Sequence, residues 1–198
     1  MTSAQVGDSG LVLRVPEVDP VIGHWRERYD SVASLGVPAH VTVLYPWIPA
    51  GLLTDDDLAA ITAIAAATDP IELTFAAFGR FPELLWLDPQ PGTAILALIA
   101  AVTDRWPDYP PYGGRYGSRP VPHLTVADSA NPTELEALVA DVERLLPVPA
   151  RIAELSLVVR RADGWDLGRT FPFRASARPG SAQRDVADVA APADLDRG

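Results

Sequence analysis

The alternation of apolar and polar positions divides the chain into a series of predicted strands and helices. Short alternating segments rich in β-branched residues are typical of strands, and longer segments that begin at a capping residue are typical of helices. The predicted strands are 10–15, 40–45, 71–81, 84–88, 123–128, 150–161 and 165–174. The predicted helices are 19–36, 54–68, 92–106 and 131–146.

Local sequence signals support two of these helix starts. Thr54 precedes an acidic run at 55–57, and acidic side chains in a first turn interact favourably with the helix dipole. Asn131 is followed by Pro132 and Glu134, which is a strong capping pattern. We therefore interpret the acidic run at 55–57 as a helix start rather than as a set of metal ligands.

The order of elements repeats once along the chain, with corresponding elements offset by about 75–83 residues. The halves, about 10–90 and 91–174, each run helix, strand, helix, strand, strand. This order predicts an α+β, bilobal fold with two pseudo-symmetric antiparallel sheets, helices on their outer faces and a central cleft. We expect residues 1–174 to form a single bilobal domain, and the aromatic-free segment 175–198 to be a disordered tail.

One short pattern occurs at matching places in the two halves. The stretch PAHVTVLYPW at 38–47 contains His-x-Thr, and VPHLTVADS at 121–129 repeats it 83 residues later. The chain has three histidines, and the third, His24, lies in a predicted helix without this context. We expect His24 to be an ordinary surface residue and His40 and His123 to be functional. Duplication of a purely structural motif is the alternative.

A His-x-Thr sequence on a strand places both side chains on one face. We expect His40, Thr42 and Leu44 to share a face, with Val41, Val43 and Tyr45 on the other; His123 and Thr125 pair in the same way. Each imidazole would lie about 6–7 Å from its hydroxyl along the strand, a spacing that admits a phosphate. Pseudo-twofold pairing of the halves would bring both pairs to one cleft. Histidine acts as base or acid near neutral pH, and threonine hydroxyls can hold nonbridging phosphate oxygens.

Composition limits the remaining classes of protein. Apolar residues make up 48 % of the 198 residues, and there is no cysteine, which fits a reducing compartment. The N-terminus lacks a signal-like pattern, and the longest apolar run, 58–67, is too short to cross a bilayer. We expect a cytoplasmic monomer with no membrane association. The net charge of −10 argues against binding duplex DNA, although a local phosphate pocket remains compatible with it.

Several further residues are candidates for substrate contact. The loop 109–122 leads into the second motif, and its aromatic and basic residues are of the kinds that stack on bases and pair with phosphates; a solvated, turn-rich loop is the alternative. Tyr45 and Arg80 lie near strand ends, where a large aromatic residue more often belongs to the core. Without cysteine or His-x-His, no metal site or cofactor is expected. The loop candidates are Tyr112, Arg115, Tyr116 and Arg119.

The paired HVTV and HLTV sequences resemble the two signature motifs of the two-histidine (2H) phosphoesterase superfamily. The branch most similar is that of bacterial 2′-5′ RNA ligase and cyclic-phosphodiesterase-like proteins, over about residues 10–174. The resemblance implies a bilobal fold and metal-independent opening of 2′,3′-cyclic phosphates. It also implies that His40 and His123 are the acid–base pair and that Thr42 and Thr125 hold the phosphate.

Three functions follow as hypotheses. The first is a hydrolase that opens 2′,3′-cyclic phosphates of nucleotides or RNA ends, or a related cyclic phosphate. The second is a 2′-5′ RNA end ligase, and the third is a nucleotide-binding module without turnover. The acidic composition and the absence of lysine favour a nucleotide or small cyclic phosphate over a long RNA.

Overall fold

The computed structural model describes residues 4–117 and 120–175. The segment 176–198, most of the predicted tail, lies outside the described residues, as does the candidate Arg119. The strands are β1 (Ser9–Arg14), β2 (His40–Leu44), β3 (Ile71–Phe81), β4 (Leu84–Gln90), β5 (Leu124–Ala127), β6 (Val148–Ile152), β7 (Glu154–Arg160) and β8 (Trp165–Pro172). The helices are α1 (Asp19–Tyr29), α2 (Asp55–Ala67), α3 (Thr93–Arg105) and α4 (Pro132–Glu143).

Two helices begin at the capping residues that the sequence indicates. The Thr54 hydroxyl accepts from the Asp57 backbone N–H at 3.2 Å, and the Asp57 carboxylate accepts in return from the Thr54 N–H. Asn131 and Glu134 form the same reciprocal pair at 3.0 Å in both directions. These bonds satisfy N–H groups that a helix start leaves without partners. Both predicted helix starts are therefore confirmed, and the acidic run at 55–57 lies in the first turn of α2.

Helix α1 ends earlier than the sequence pattern predicts. The expected helix 19–36 stops at Tyr29, because Asp30 is extended and its carboxylate accepts a bond from the Val32 N–H at 3.1 Å. Short polar side chains of this kind compete with the helical hydrogen-bond pattern. A separate 3-10 turn, Ala33–Leu35, follows and ends at Gly36, which has a φ of 90°.

The strands form two four-stranded antiparallel sheets. Sheet I has the order β2-β1-β7-β8, and sheet II has the order β5-β4-β3-β6. Helix α3 packs on β2 and α2 packs on β8, while α1 packs on β5 and on α4. The predicted α+β class with two sheets and helices on their outer faces is confirmed. No helix within the described residues is long and apolar enough to cross a lipid bilayer.

The strand order corrects two expectations. The predicted strand 150–161 is two strands, β6 and β7, which are separated at Ala153 and belong to different sheets. In addition, each sheet takes two strands from each half of the chain, so the halves 10–90 and 91–174 do not each form one lobe. The two sheets exchange one strand each. Strand β3 pairs with β4 in sheet II instead of joining β1 and β2, and β7 pairs with β1 in sheet I instead of joining β4 and β5.

Each motif strand contains an irregularity just after its threonine. In β2, Thr42 is opposite Val12 but Leu44 is opposite Leu11, so Val43 is an extra residue. The expected alternation therefore fails after Thr42: Leu44 turns into the core at 0 % exposure, and Tyr45 takes the face of His40 and Thr42. Strand β5 shows the same register shift, with Thr125 opposite Trp86 and Ala127 opposite Leu85.

The glycine at position 79 allows a large aromatic ring to lie against sheet II. Gly79 on β3 is directly opposite Trp86 on β4, and a Cβ atom at Gly79 would lie 2.1 Å from the Trp86 ring. That distance is far inside any real contact, so only glycine permits this ring position. Trp86 is 9 % exposed and shares its sheet face with Thr125. The glycine therefore fixes an aromatic wall beside the second motif.

We expect Gly79→Ala to lower the free energy of unfolding by about 1–3 kcal/mol, because the new methyl group forces the Trp86 ring or the strand to move. Gly23→Ala is the matched control. Gly23 lies inside α1, and a methyl group added there would meet nothing within 4 Å, so this variant should gain about 0.5–1 kcal/mol from helix propensity. Urea denaturation followed by circular dichroism measures both. A neutral Gly79→Ala would contradict the tight ring contact.

Candidate active site

The two His-x-Thr motifs meet where the sheets meet. Strand β2 is the edge of sheet I and β5 is the edge of sheet II, and these two edges lie against each other. His40 and Thr42 are half-buried on one edge, and His123 and Thr125 are half-buried on the other. The fold therefore brings together four side chains that are separated by 83 residues in sequence.

The two imidazoles are held in the same way. Nδ1 of His40 lies 2.8 Å from the Pro38 carbonyl oxygen, and Nδ1 of His123 lies 2.8 Å from the Val121 carbonyl oxygen. A carbonyl can only accept, so each Nδ1 carries a proton and donates it. The other ring nitrogen, Nε2, is then the free base of each neutral imidazole. The backbone thus presents two equivalent Nε2 atoms, one from each sheet.

The surroundings shift the pKa values of both histidines in the same direction. Desolvation, together with smaller contributions from the positive charges of Arg26 and His123, lowers the pKa of His40 from 6.5 to about 4, although the bond to the Pro38 carbonyl acts in the opposite direction. Desolvation also lowers the pKa of His123. Because the charge of His123 contributes to the lowered pKa of His40, the two imidazoles lie close enough to interact electrostatically. An anion between them would offset this cost, because it stabilises the charged form of each ring.

Tyr112 links the two motifs. Its hydroxyl lies close to the Thr42 side chain, and its ring stacks on His123 with a centroid distance of 6.4 Å and an interplanar angle of 25°. Its backbone N–H donates to the Tyr45 carbonyl oxygen at 2.6 Å. The residue has a left-handed backbone, with a φ of 53°, which side-chain-bearing residues seldom adopt. The loop before the second motif therefore places one phenol between a threonine and a histidine.

A buried ion pair supports both motifs from α1. Arg26 is 4 % exposed, and its Nε and Nη2 donate to the Asp30 carboxylate at 2.9 and 2.7 Å. The same guanidinium donates to the carbonyl oxygens of Val37, at 3.4 Å, and Thr125, at 3.2 Å. Val37 lies three residues before His40, and Thr125 belongs to the second motif. Arg26 therefore ties the backbones of the two motifs to one fixed group.

The other predicted contacts divide into two groups. The Tyr45 side chain packs edge-on against Trp165 at 5.7 Å and donates to Asp8 at 3.4 Å, and Tyr45 is linked to the motifs through its carbonyl bond to Tyr112. Arg80 is opposite the core residue Leu85, and this register puts it on the face of sheet II away from Trp86.

Tyr116 packs edge-on against Tyr112 at 5.6 Å, and the Arg115 guanidinium lies 5.7 Å from the Tyr116 ring centre. Tyr116 is therefore linked to the second motif through Tyr112, and Arg115 is linked to it through Tyr116, whereas Arg80 lies on the opposite face of sheet II. His24 is exposed on α1 next to Trp25 and Asp141, as an ordinary surface histidine would be.

Side-chain chemistry, rather than cavity size, identifies the site. Two open surface hollows of about 450 and 470 Å³ lie elsewhere, one along β3 and β6 and one against α2, and neither is lined by a motif residue. In the part of the chain that the structure describes, no cluster of three or more His, Asp or Glu side chains is placed to hold a metal ion. The groups available for chemistry at the motifs are two imidazoles, two threonine hydroxyls and one phenol.

The positions of four residues in this region cannot be deduced from local sequence patterns. Arg26 and Asp30 form an i,i+4 pair that reads like an ordinary helix-surface pair, and only the packing of α1 against β5 buries it. Phe81 and Trp86 flank His123 at centroid distances of 5.5 and 5.9 Å because β3 and β4 pair with β5 in one sheet. Their position depends on strand order, which the local pattern does not encode.

The fold and the duplicated motif define a 2H phosphoesterase-type protein. The family model described as the 2′-5′ RNA ligase superfamily matches residues 15–164, and the chain belongs to this family. No curated protein matches the chain by sequence.

Solved structures share the fold at low sequence identity. E. coli LigT complexed with 3′-AMP has a TM-score of 0.54 and 16 % identity, covering 85 % of this chain and 99 % of LigT. E. coli LigT complexed with NADP⁺ has a TM-score of 0.53 and 15 % identity, covering 87 % and 100 %. TT0787 of Thermus thermophilus has a TM-score of 0.53 and 18 % identity, covering 86 % and 100 %. At these identities the likeness establishes the shared fold.

We expect Arg26→Met to lower the free energy of unfolding by about 3–5 kcal/mol, because it leaves the Asp30 carboxylate buried without a counter-charge. The double variant Arg26→Met with Asp30→Leu should recover most of this loss, since no unpaired charge remains. Urea denaturation compares the variants.

The control for this pair is Arg144→Met. Arg144 forms an exposed ion pair with Asp141, also within one helical turn, so its removal should change stability by about 0.5 kcal/mol or less. An Arg26→Met variant as mild as Arg144→Met would show that the buried pair does not brace the fold.

Proposed function

We propose that the protein opens 2′,3′-cyclic phosphates of nucleotides or RNA ends by acid–base catalysis with two histidines. The observation that carries the proposal is the matched pair of imidazoles, each held through Nδ1 by a backbone carbonyl and each beside a threonine, on two adjacent sheet edges. One Nε2 takes a proton from the attacking water, and the other, as imidazolium, gives a proton to the leaving ribose oxygen. The threonine hydroxyls donate to the nonbridging oxygens, where the negative charge lies.

Tyr112 adds a third hydroxyl to this group. Since its hydroxyl lies close to Thr42 and its ring stacks on His123, its phenol would lie at the edge of a phosphate bound between the motifs. The nucleotide complexes of E. coli LigT, with 3′-AMP and with NADP⁺, support a ligand of nucleotide size for a protein of this fold. The net charge of −10 is compatible with such a ligand and unfavourable for a long nucleic acid.

Ligation of RNA ends is the second candidate, and the family description favours keeping it. The same two histidines would serve, with a 5′-hydroxyl of a second RNA in place of water. Incubation of RNA half-molecules ending in a cyclic phosphate and a 5′-hydroxyl distinguishes the two reactions. Joined product supports ligation, and a terminal monophosphate supports hydrolysis. Tight nucleotide binding with neither product would support a binding module.

We expect His40→Ala and His123→Ala each to lower kcat/KM for a nucleoside 2′,3′-cyclic phosphate at least about a hundredfold, because each removes one of the two proton-transfer groups. His24→Ala is the control and should retain activity, since His24 is exposed on α1. EDTA should leave the wild-type rate unchanged. Steady-state kinetics on a panel of cyclic phosphates measures these effects, and full activity in either motif variant, or its loss in EDTA, would count against the mechanism.

We expect the kcat/KM of the free enzyme to be bell-shaped in pH and to have its maximum below about pH 6.5. One histidine must be unprotonated and the other protonated, and both pKa values lie below 6.5, with that of His40 at about 4. The rate therefore falls at low pH, where both rings become protonated, and at higher pH, where both become neutral. The pair titrates jointly, so the two limbs report apparent pKa values. A maximum at alkaline pH would contradict the lowered pKa values of the pair.

A further inference from the structure

The two histidines differ in their aromatic surroundings. His123 contacts three rings: Phe81 at 5.5 Å, Trp86 at 5.9 Å and Tyr112 at 6.4 Å between centroids. Among the described residues, none of the ring contacts involves His40. The backbone support of the two imidazoles is the same, so this asymmetry belongs to the side chains around them. It separates the two sides of an otherwise pseudo-symmetric site.

Part of this aromatic surface is open to solvent. Phe81 is 39 % exposed and Tyr116 is 62 % exposed, whereas Trp86 is 9 % exposed. Tyr112 contacts both His123 and Tyr116, and Phe81 contacts His123, so His123 joins the two exposed rings into one group. We name the group Phe81, Tyr112 and Tyr116 the aromatic rim. Trp86 packs beneath it like a core residue, but the rim leaves ring surface in water beside an imidazole.

Exposed rings next to a phosphate-sized polar site are suited to one kind of ligand group. A nucleobase has two aromatic faces, and stacking on protein aromatic side chains is the usual way in which single nucleotides are held. The Arg115 guanidinium, 5.7 Å from the Tyr116 ring, supplies a planar cation and hydrogen-bond donors at the same edge. A small cyclic phosphate without a base would leave the rim unused.

We propose that the aromatic rim holds the nucleobase of the substrate and thereby sets its direction in the site. This inference rests on the proposed function. With the base on the rim, the ribose lies on the His123 side of the phosphorus atom. Both oxygens of the cyclic phosphate ring belong to that ribose, so the leaving oxygen is also on the His123 side. The attacking water must then approach from the opposite side, where His40 lies, because displacement at phosphorus is in line.

This orientation of the substrate assigns one catalytic role to each histidine. Nε2 of His40 accepts a proton from water as the water oxygen bonds to phosphorus. The bond from phosphorus to the ribose oxygen breaks, and the Nε2 proton of His123 passes to that oxygen. The product is a nucleoside monophosphate with a free ribose hydroxyl, and the enzyme is left with His40 protonated and His123 neutral. Proton exchange with solvent restores both histidines.

A sulfur-substituted substrate tests the assignment. In a uridine 2′,3′-cyclic phosphate whose leaving ribose oxygen is replaced by sulfur, the departing thiolate needs no proton from the enzyme. We expect His123→Ala to lose at least about a hundredfold in kcat on the oxygen substrate but less than about tenfold on the thio substrate. His40→Ala should lose at least about a hundredfold on both. The 2′-thio and 3′-thio isomers are both tested, so that one of them places sulfur at the leaving position.

The remaining outcomes of this experiment decide against the proposal. If the thio substrate restores the rate of His40→Ala instead of that of His123→Ala, the substrate binds in the opposite orientation. If it restores the rate of neither variant, or if the wild-type protein is inactive on both thio isomers, the assignment of roles is wrong. A wild-type protein that cleaves no cyclic phosphate of any kind overturns the proposed function itself. Normal wild-type turnover with the wrong rescue pattern overturns the orientation alone.

The rim is tested separately by removing the base. We expect Phe81→Ala and Tyr116→Ala to raise KM for uridine 2′,3′-cyclic phosphate roughly tenfold, the usual scale of a lost base stack. The same variants should leave KM for methyl-riboside 2′,3′-cyclic phosphate, which has no base, unchanged. Leu145→Ala is the matched control, because Leu145 is 53 % exposed and has no part in the rim. Equal effects on both substrates would show that the rim does not bind the base.

Discussion

The geometry of the site depends on one buried ion pair. Arg26 and Asp30 lie within one turn of each other at the end of α1, and the packing of this helix against β5 removes both from water. The desolvation cost is large, so the pair is tolerable only because the guanidinium finds further acceptors. Two of these acceptors are the carbonyls of Val37 and Thr125, one from each motif region. The hydrogen bonds of one buried guanidinium therefore hold the backbones of both motifs at a fixed separation.

The same cation also affects the chemistry of the site. Its charge lowers the pKa of His40, in addition to the larger effect of desolvation, and so favours the neutral imidazole. A buried positive charge near the motifs would also stabilise a bound phosphate. Position and electrostatics thus have a common origin in α1, a helix whose sequence contains neither motif. The pair of sheets supplies the symmetric part of the site, and Arg26, Tyr112 and the rings around His123 supply the asymmetric part.

Local sequence signals predicted most of the helices and strands and the strand position of both motifs. The caps at Thr54 and Asn131 and the two His-x-Thr sequences are short-range patterns, and each predicts its own element correctly. The sequence does not encode in any local way the exchange of β3 and β7, the extra residue at Val43, or the burial of Arg26. Each of these follows from which strands pair and at what register, and such choices are decided by long-range packing. The placement of Phe81 and Trp86 around His123 could not be predicted for the same reason, because these rings come from β3 and β4.

The exchange of strands has a consequence for the origin of the fold. In the unit β1-α1-β2-α2-β3, the last strand belongs to the sheet of β4 and β5. In the unit that begins at β4, strand β7 belongs to the sheet of β1 and β2. In a polypeptide consisting of one such unit, β1 would lack its neighbouring strand and β3 would have no sheet to join. It would satisfy both only by associating with an identical molecule about a twofold axis. The tandem chain is in this respect an intertwined homodimer whose two subunits have been joined into one.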